Sequence, residues 1–322
     1  MPPLRAGRPL KRWRYVGVFC EELMACAARV QVGPARQSFW AVHLRGDRAG
    51  PRERTRVLWR RGAVSLAPGW LRIRDAGVLL DLALEEDLGI QARCAHGRGG
   101  HAAQTGGLAP RERRRWDASR EDGLGENGLG EDGLDMDGPG RDGLGRDGLG
   151  RNRLGRDGLG PGEVWTRKQA GVRARGTLSL SGHSPREVEA LAVIDDTAGY
   201  HPRQTEWWWS AGVGVGADGA PLAWNLVQGI NDPRAGSERA VWVAGEPSEP
   251  APVRFAPDLG EIVAAEGSRL RFTPEAQRRR RENLAIISSD YTAPFGTFAG
   301  TLPGGVRLAS GLGVMEHHRA KW

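Results

Sequence analysis

Nine consecutive residues, Asp195-Asp196-Thr197-Ala198-Gly199-Tyr200-His201-Pro202-Arg203, place two carboxylates, an imidazole and a guanidinium just upstream of the tryptophans Trp207–Trp209. A carboxyl whose pKa is raised by burial beside an imidazole can donate or remove a proton. Asp195, Asp196 and His201 are therefore candidate catalytic residues. A structural role competes with that one: on a turn entering a strand, Asp196 caps the turn and Arg203 neutralises it. Ser237-Glu238-Arg239 offers a further carboxylate, or an ion pair with one of many arginines.

The segment after the tryptophans carries the second signal. Gly214-Val215-Gly216-Ala217-Asp218-Gly219 matches Gly-x-Gly-x-x-Gly. A dinucleotide site needs a helix to follow it, because the pyrophosphate rests on the helix N-terminus. Pro221–Val227 reads instead as a strand, which makes Asp218-Gly219 the turn of a hairpin. With that turn, paired positions sum to 437. Trp209, Val213 and Val215 then share a face with Leu222, Trp224 and Leu226, while Trp208, Ser210, Gly212, Gly214 and Asn225 take the other. Glycines at alternate positions leave either room for a ligand or close packing of a coiled sheet. On the first alternative Tyr200, Arg203, Trp208, Ser210, Asn225 and Glu238 are candidate ligand-binding residues.

Other chemistries find little footing. Cys20, Cys26 and Cys94 contain no Cys-x-x-Cys pair and fit reduced thiols. Adjacent His317 and His318 beside Glu316 lack zinc-ligand spacing, so no metal or other cofactor is expected. The net charge of +7 comes from 43 arginines and only three lysines, scattered along the chain. Nucleic-acid binders gather charge on one face, so none is expected as a partner, and Arg278–Arg281 reads as a solvated turn. No run reaches the roughly 20 apolar residues of a membrane helix. Val16–Cys20 meets Glu21 too soon for a secretory signal, which favours a cytoplasmic chain.

These residues need elements to hold them, and the punctuation is that of an all-β protein. Residues 24–32 alternate, with a short helix over Glu21–Val30 as the competing assignment. Turns at Pro68-Gly69 and Ala76-Gly77 divide a meander, and short strands recur from 172 to 309. Between them, residues 121–160 are eight pentads of the RDGLG type, with 14 glycines and one recurrent leucine. That composition does not repay the entropy of ordering, so 98–162 is expected to be a disordered linker. The organisation expected is a β half over 1–97, the linker, and a second β half over 163–322.

Tyr200-His201-Pro202-Arg203 with Trp207–Gly212 and Ala223–Val227 resembles a bacterial family, domain of unknown function 2804, common in actinobacteria. Trp13–Gly17, Trp165–Gln169, Ser237–Trp242, Asp290-Tyr291, Pro294–Phe298, Gly313–Glu316 and Trp322 extend the resemblance. A more distant similarity is to lipocalin-like carotenoid hydratases. It implies two antiparallel β-barrels around an apolar ligand, with Asp195 or Asp196 and His201 as proton donors to an alkene. The reading is a lipocalin-like all-β protein that binds a small apolar or amphipathic ligand in a Trp-lined cavity. The alternative is a hydratase or isomerase acting on an isoprenoid or lipid double bond. As an enzyme it holds Asp196 and His201 together facing a cavity; as a carrier it points them away from one.

Overall fold

In the computed structural model of the chain, residues 1–47, 50–57, 63–96, 102–104, 159, 162–284 and 287–321 are described. Every regular element among them is a β-strand, and all pairings are antiparallel. Leu4–Arg5 (β1) and Arg8–Pro9 (β2) form a small hairpin. The first large sheet runs in spatial order β6 (Arg52–Val57), β5 (Ala35–Leu44), β4 (Leu23–Val32), β3 (Lys11–Phe19), β13 (Arg186–Gly199), β12 (Glu163–Leu180), β9 (Val78–Leu84), β8 (Trp70–Asp75) and β7 (Val64–Ala67). β10 (Ile90–His96) also pairs with β12 and carries β11 (Ala102–Gln104). The second sheet runs β17 (Glu246–Ser248), β16 (Ala240–Val243), β15 (Pro221–Gln228), β14 (Gln204–Gly216), β22 (Val306–Lys321), β21 (Ile287–Leu302), β20 (Arg269–Leu284), β19 (Glu261–Ala264) and β18 (Val253–Phe255).

Both sheets curl. β7 returns against β4 and β5, and β18 returns against β15, giving two barrel-like halves as expected. Local breaks in register assist the curl: β12 bulges at Gly171, whose φ of 76° is the left-handed region glycine tolerates. Among the described residues, three large apolar cores and one small one result. One fills the first half around Trp40, Leu71, Ile73 and Leu82. A second fills the other half around Trp224, Phe272 and Phe298. The third lies between the sheets, where Tyr15, Phe19 and Met24 meet Trp209, Trp242 and Phe295. Strands buried on both faces show no hydrophobic alternation, and Leu23–Ala28 is buried at every position.

Several expectations are corrected. The halves do not divide at the linker: β12 and β13, residues 163–199, belong to the first sheet because β12 pairs with β9 and β13 with β3. The turn expected over 195–203 begins only after Gly199. Arg278–Arg281 lies inside β20, and alternation buries Arg278 while exposing Arg279. The β14–β15 hairpin pairs on a sum of 436, as in Trp209 with Val227 and Val213 with Ala223. Its three-residue loop ends on Gly219 at φ 84°, a type of turn that shifts register by one. Trp224 therefore lies over Gly212, where a Cβ would meet its ring at 2.2 Å. Of the two alternatives for these glycines, room for a ligand or close packing, the structure has close packing. Most of the pentad tract lies outside the described residues, as do Trp59 and Trp322, but Leu159 is buried with Leu10, Trp165 and Tyr200.

Candidate functional site

The pleat explains which side chains meet between the sheets. On the first sheet, register aligns Lys168, Asp195, Tyr15, Ala28 and Phe39 in one transverse row across β12, β13, β3, β4 and β5. A parallel row two residues along holds Trp13, Val30, Gln37 and Val57. The second sheet answers with Trp207, His318, Tyr291 and Arg280 in one row, and with Trp209 beside Glu316 in the next. Together these rows enclose a cavity of about 200 Å³. Trp13 and Trp207 stand parallel across it, 6.4 Å between centroids, and Tyr15 meets Trp209 edge-on at 5.4 Å. Ala35, Arg36 and Val57 at its other end are exposed, so the cavity reaches the surface there.

The inner end is polar and buried. Lys168 Nζ lies 2.8 Å from Asp195 Oδ2 and 3.4 Å from Glu238 Oε1. Trp13 Nε1 donates to Asp195 Oδ2 at 2.9 Å, and Thr197 Oγ1 donates to Asp195 Oδ1 at 2.8 Å. Asn231 Nδ2 donates to Glu238 Oε2 at 3.1 Å, while Asn231 Oδ1 pairs with His96 Nε2 at 2.9 Å. Burial opposes the charge on Lys168, but Asp195 and Glu238 outweigh it and hold its pKa above the ordinary value. Burial raises Glu238 despite Lys168.

Glu316 sits on the aromatic wall. Trp207 Nε1 donates to its Oε1 at 2.7 Å, and the Tyr291 hydroxyl also bonds it. Burial pushes its pKa up to about 7. Neighbouring His318 is pushed down to about 3, again by burial, and is neutral at physiological pH. The Tyr15 hydroxyl, on a residue only 5% exposed, interacts with the weak Cys26 thiol and lacks a stronger oxygen or nitrogen partner. Cys26 and Cys94 are free buried thiols pushed up to about 12 by burial.

The residues expected from sequence divide sharply. Asp195 and Glu238 line the cavity, bound to Lys168 and to no arginine. Asp196 is turned to the opposite face of β13, into an ion-pair network with Arg14, Arg167 and Glu86, so the aspartates do not act on one ligand. Arg203 is exposed and takes no part in that network. His201 is buried behind the wall, stacked on Trp13 at 5.1 Å, and burial drives its pKa well down. It does not meet Asp196 at the cavity. Tyr200 donates to the Pro2 carbonyl at 2.9 Å. Trp208 faces away and stacks on His317 at 4.6 Å; Ser210 accepts from Trp224 Nε1 at 3.0 Å inside the second half. Asn225 accepts from Trp209 Nε1 at 2.8 Å and donates to the Glu238 carbonyl at 2.7 Å, which positions both from behind.

Sequence reasoning missed Lys168, Asn231, Tyr15, Tyr291 and the role of Glu316. Lys168, one of three lysines in an arginine-rich chain, is the one signal that stood in plain view. Among the described residues no group of three His, Cys, Asp or Glu could hold a metal ion, and no helix is long and apolar enough to cross a membrane.

Residues 164–322 match the family described as Domain of unknown function (DUF2804). A comparison with curated protein sequences gives no match. Among solved structures, a protein assigned as AttH from Nitrosomonas europaea is 13% identical with a TM-score of 0.45, over 95% of this chain and 91% of that one. Kievitone hydratase from Nectria haematococca is 8% identical with a TM-score of 0.45, over 100% and 90%. CghA with Sch210972 is 8% identical with a TM-score of 0.46, over 97% and 88%.

Proposed function

From a chain that resembles the DUF2804 family over residues 164–322, we propose a protein that holds one small amphipathic ligand in the cavity between its sheets. The observation that carries this reading is the cavity itself: aromatic and aliphatic walls, with polar groups gathered at the buried end and at the mouth. An apolar body fits along Trp13, Trp207 and Tyr291, and a polar end fits against Lys168, Asp195 and Asn231. Small-molecule sites are of this kind, concave and mostly apolar with a few placed polar groups. Both barrel interiors are filled, so the guest belongs between the halves and in neither of them.

The test is tryptophan fluorescence during titration with alcohols and fatty acids of graded chain length. Three tryptophans line the cavity, so a bound chain changes the emission. Ala28→Leu, which fills the floor, is expected to weaken binding at least tenfold without unfolding the protein. A wild type whose emission no chain perturbs would refute the reading.

A second reading, hydration or isomerisation of an isoprenoid or lipid double bond, is favoured by Glu316 and not by Asp196 or His201. Glu316 is a buried acid on an aromatic wall that keeps its proton to about neutral pH. Incubation of isoprenoid alkenes in D2O tests it: absence of carbon-bound deuterium and of any hydrated product would remove it.

A further inference from the structure

The inner end of the cavity is short of positive charge. Asp195 and Glu238 share one cation, Lys168, and Glu316 adds a third carboxyl group a short way along the wall. The histidines nearby do not redress this. Burial lowers the pKa of His96, His201 and His318 alike, which leaves them neutral. Arg278 is buried over Phe39 at 3.9 Å and Tyr291 at 5.2 Å, and its charge is engaged with Glu53 while it donates to Thr55. Arg36 and Arg280 line the outer end. With the Arg278 charge met by Glu53, the cavity is negative at its inner end and positive at its mouth.

Its walls are suited to a cation. Trp209 lies at the inner end beside Lys168, and aromatic faces attract positive charge. Lys168 shows the effect within the protein, its Nζ lying 5.8 Å from the centre of the Trp209 ring. The Tyr15 hydroxyl, whose one neighbour is the weak Cys26 thiol, is a buried polar group on the cavity wall with an acceptor to offer.

We propose that the ligand's polar end is a protonated amine, held at the inner end by Asp195, Glu316 and the Tyr15 hydroxyl beside the ring of Trp209. This rests on the proposed ligand-binding cavity and names its chemical class: an apolar amine. Without ligand, the surplus negative charge is relieved by a proton on Glu316. The bound ammonium takes over that task, and Glu316 releases its proton as the amine enters. The groups facing Glu316 are Tyr291 and His318 from its own sheet and Tyr15, Asp195 and Lys168 from the other. Tyr15, Tyr291 and Lys168 are all raised above their ordinary values and His318 is lowered, so none of these four changes charge near pH 7.

Octylammonium, 1-octanol and octanoate share one apolar body and differ only in head group. Their dissociation constants, measured by calorimetry on the full chain, test the assignment. Octylammonium is expected to bind at least tenfold tighter than octanol at pH 8, and octanoate at least tenfold weaker than octanol. Octylammonium affinity is expected to rise about tenfold from pH 6 to pH 8 as Glu316 gives up its proton. Octanol affinity is expected to stay flat. Glu316→Gln is expected to remove the pH dependence and at least tenfold of the ammonium affinity, leaving octanol within about threefold. The wild type gives a second measure by itself: nearly one proton released per ammonium bound at pH 6, read from buffers of different ionisation enthalpy. Octanol binding as tightly as octylammonium would overturn the amine assignment and leave the ligand cavity standing. No binding of any of the three would remove both.

Discussion

Replacing Glu316 by Gln should make the protein more stable at alkaline pH and almost indifferent in acid. In the unfolded chain the carboxyl has its ordinary pKa of 4.5, and in the folded protein about 7. Between those values the folded state binds more protons, so stability falls as pH rises and levels off above 7. Two and a half pH units at about 1.4 kcal/mol each give a total of about 3.4 kcal/mol. Between pH 5 and pH 8 the loss amounts to about 2.5 kcal/mol. Gln keeps the acceptor for Trp207 Nε1 and cannot ionise. Urea denaturation of both proteins from pH 5 to pH 8 provides the assay, and other titrating groups cancel in the difference. The variant should gain about 2.5 kcal/mol on wild type across that range. A flat difference would show that Glu316 keeps its charge at no cost, and the account of the aromatic wall would fail.

Three further expectations concern separate parts of the molecule. His318 has a folded pKa of about 3 against 6.5, so stability should fall as pH drops below 6.5, by about 4 kcal/mol at pH 3.5; His318→Gln should flatten that limb in acid denaturation. Lys168→Met leaves Asp195 and Glu238 buried without their cation, and should cost about 3–5 kcal/mol in urea at pH 8. Trp224→Ala empties the second half and should cost about 3–5 kcal/mol. Because Trp224 does not line the cavity, the affinity for 1-octanol should stay within about threefold.

The strands were legible because alternation and glycine turns fix them locally, as in Val78–Leu84 after the Ala76-Gly77 turn. The sites were less so, since a one-residue error exchanges the faces of a strand. The hairpin shows it: a sum of 437 put Trp224 beside Trp209, and 436 sends it into the other core. Asp195 and Asp196 show it again, for adjacency in sequence is opposition in a sheet. Their partners, Trp13, Lys168 and Arg14, come from strands that no local pattern ties to them. Glu316 was visible as a residue, yet its environment is made by Trp207 and Tyr291 and exists only once three strands pair.

One feature of the first half bears on how this gene can change. Leu159, which ends the last leucine-glycine step of the tract, is buried against Tyr200 and Trp165, and Arg5 donates to its carbonyl. Its place is measured from β12, four residues downstream. If recombination deletes the final copy, Leu154-Gly155 falls at the same distance from Pro161, and one leucine takes over the berth of another. Copy number can therefore drift in steps of five without loosening the anchor, whereas loss of one to four residues at that junction puts a glycine, aspartate or arginine in the apolar seat.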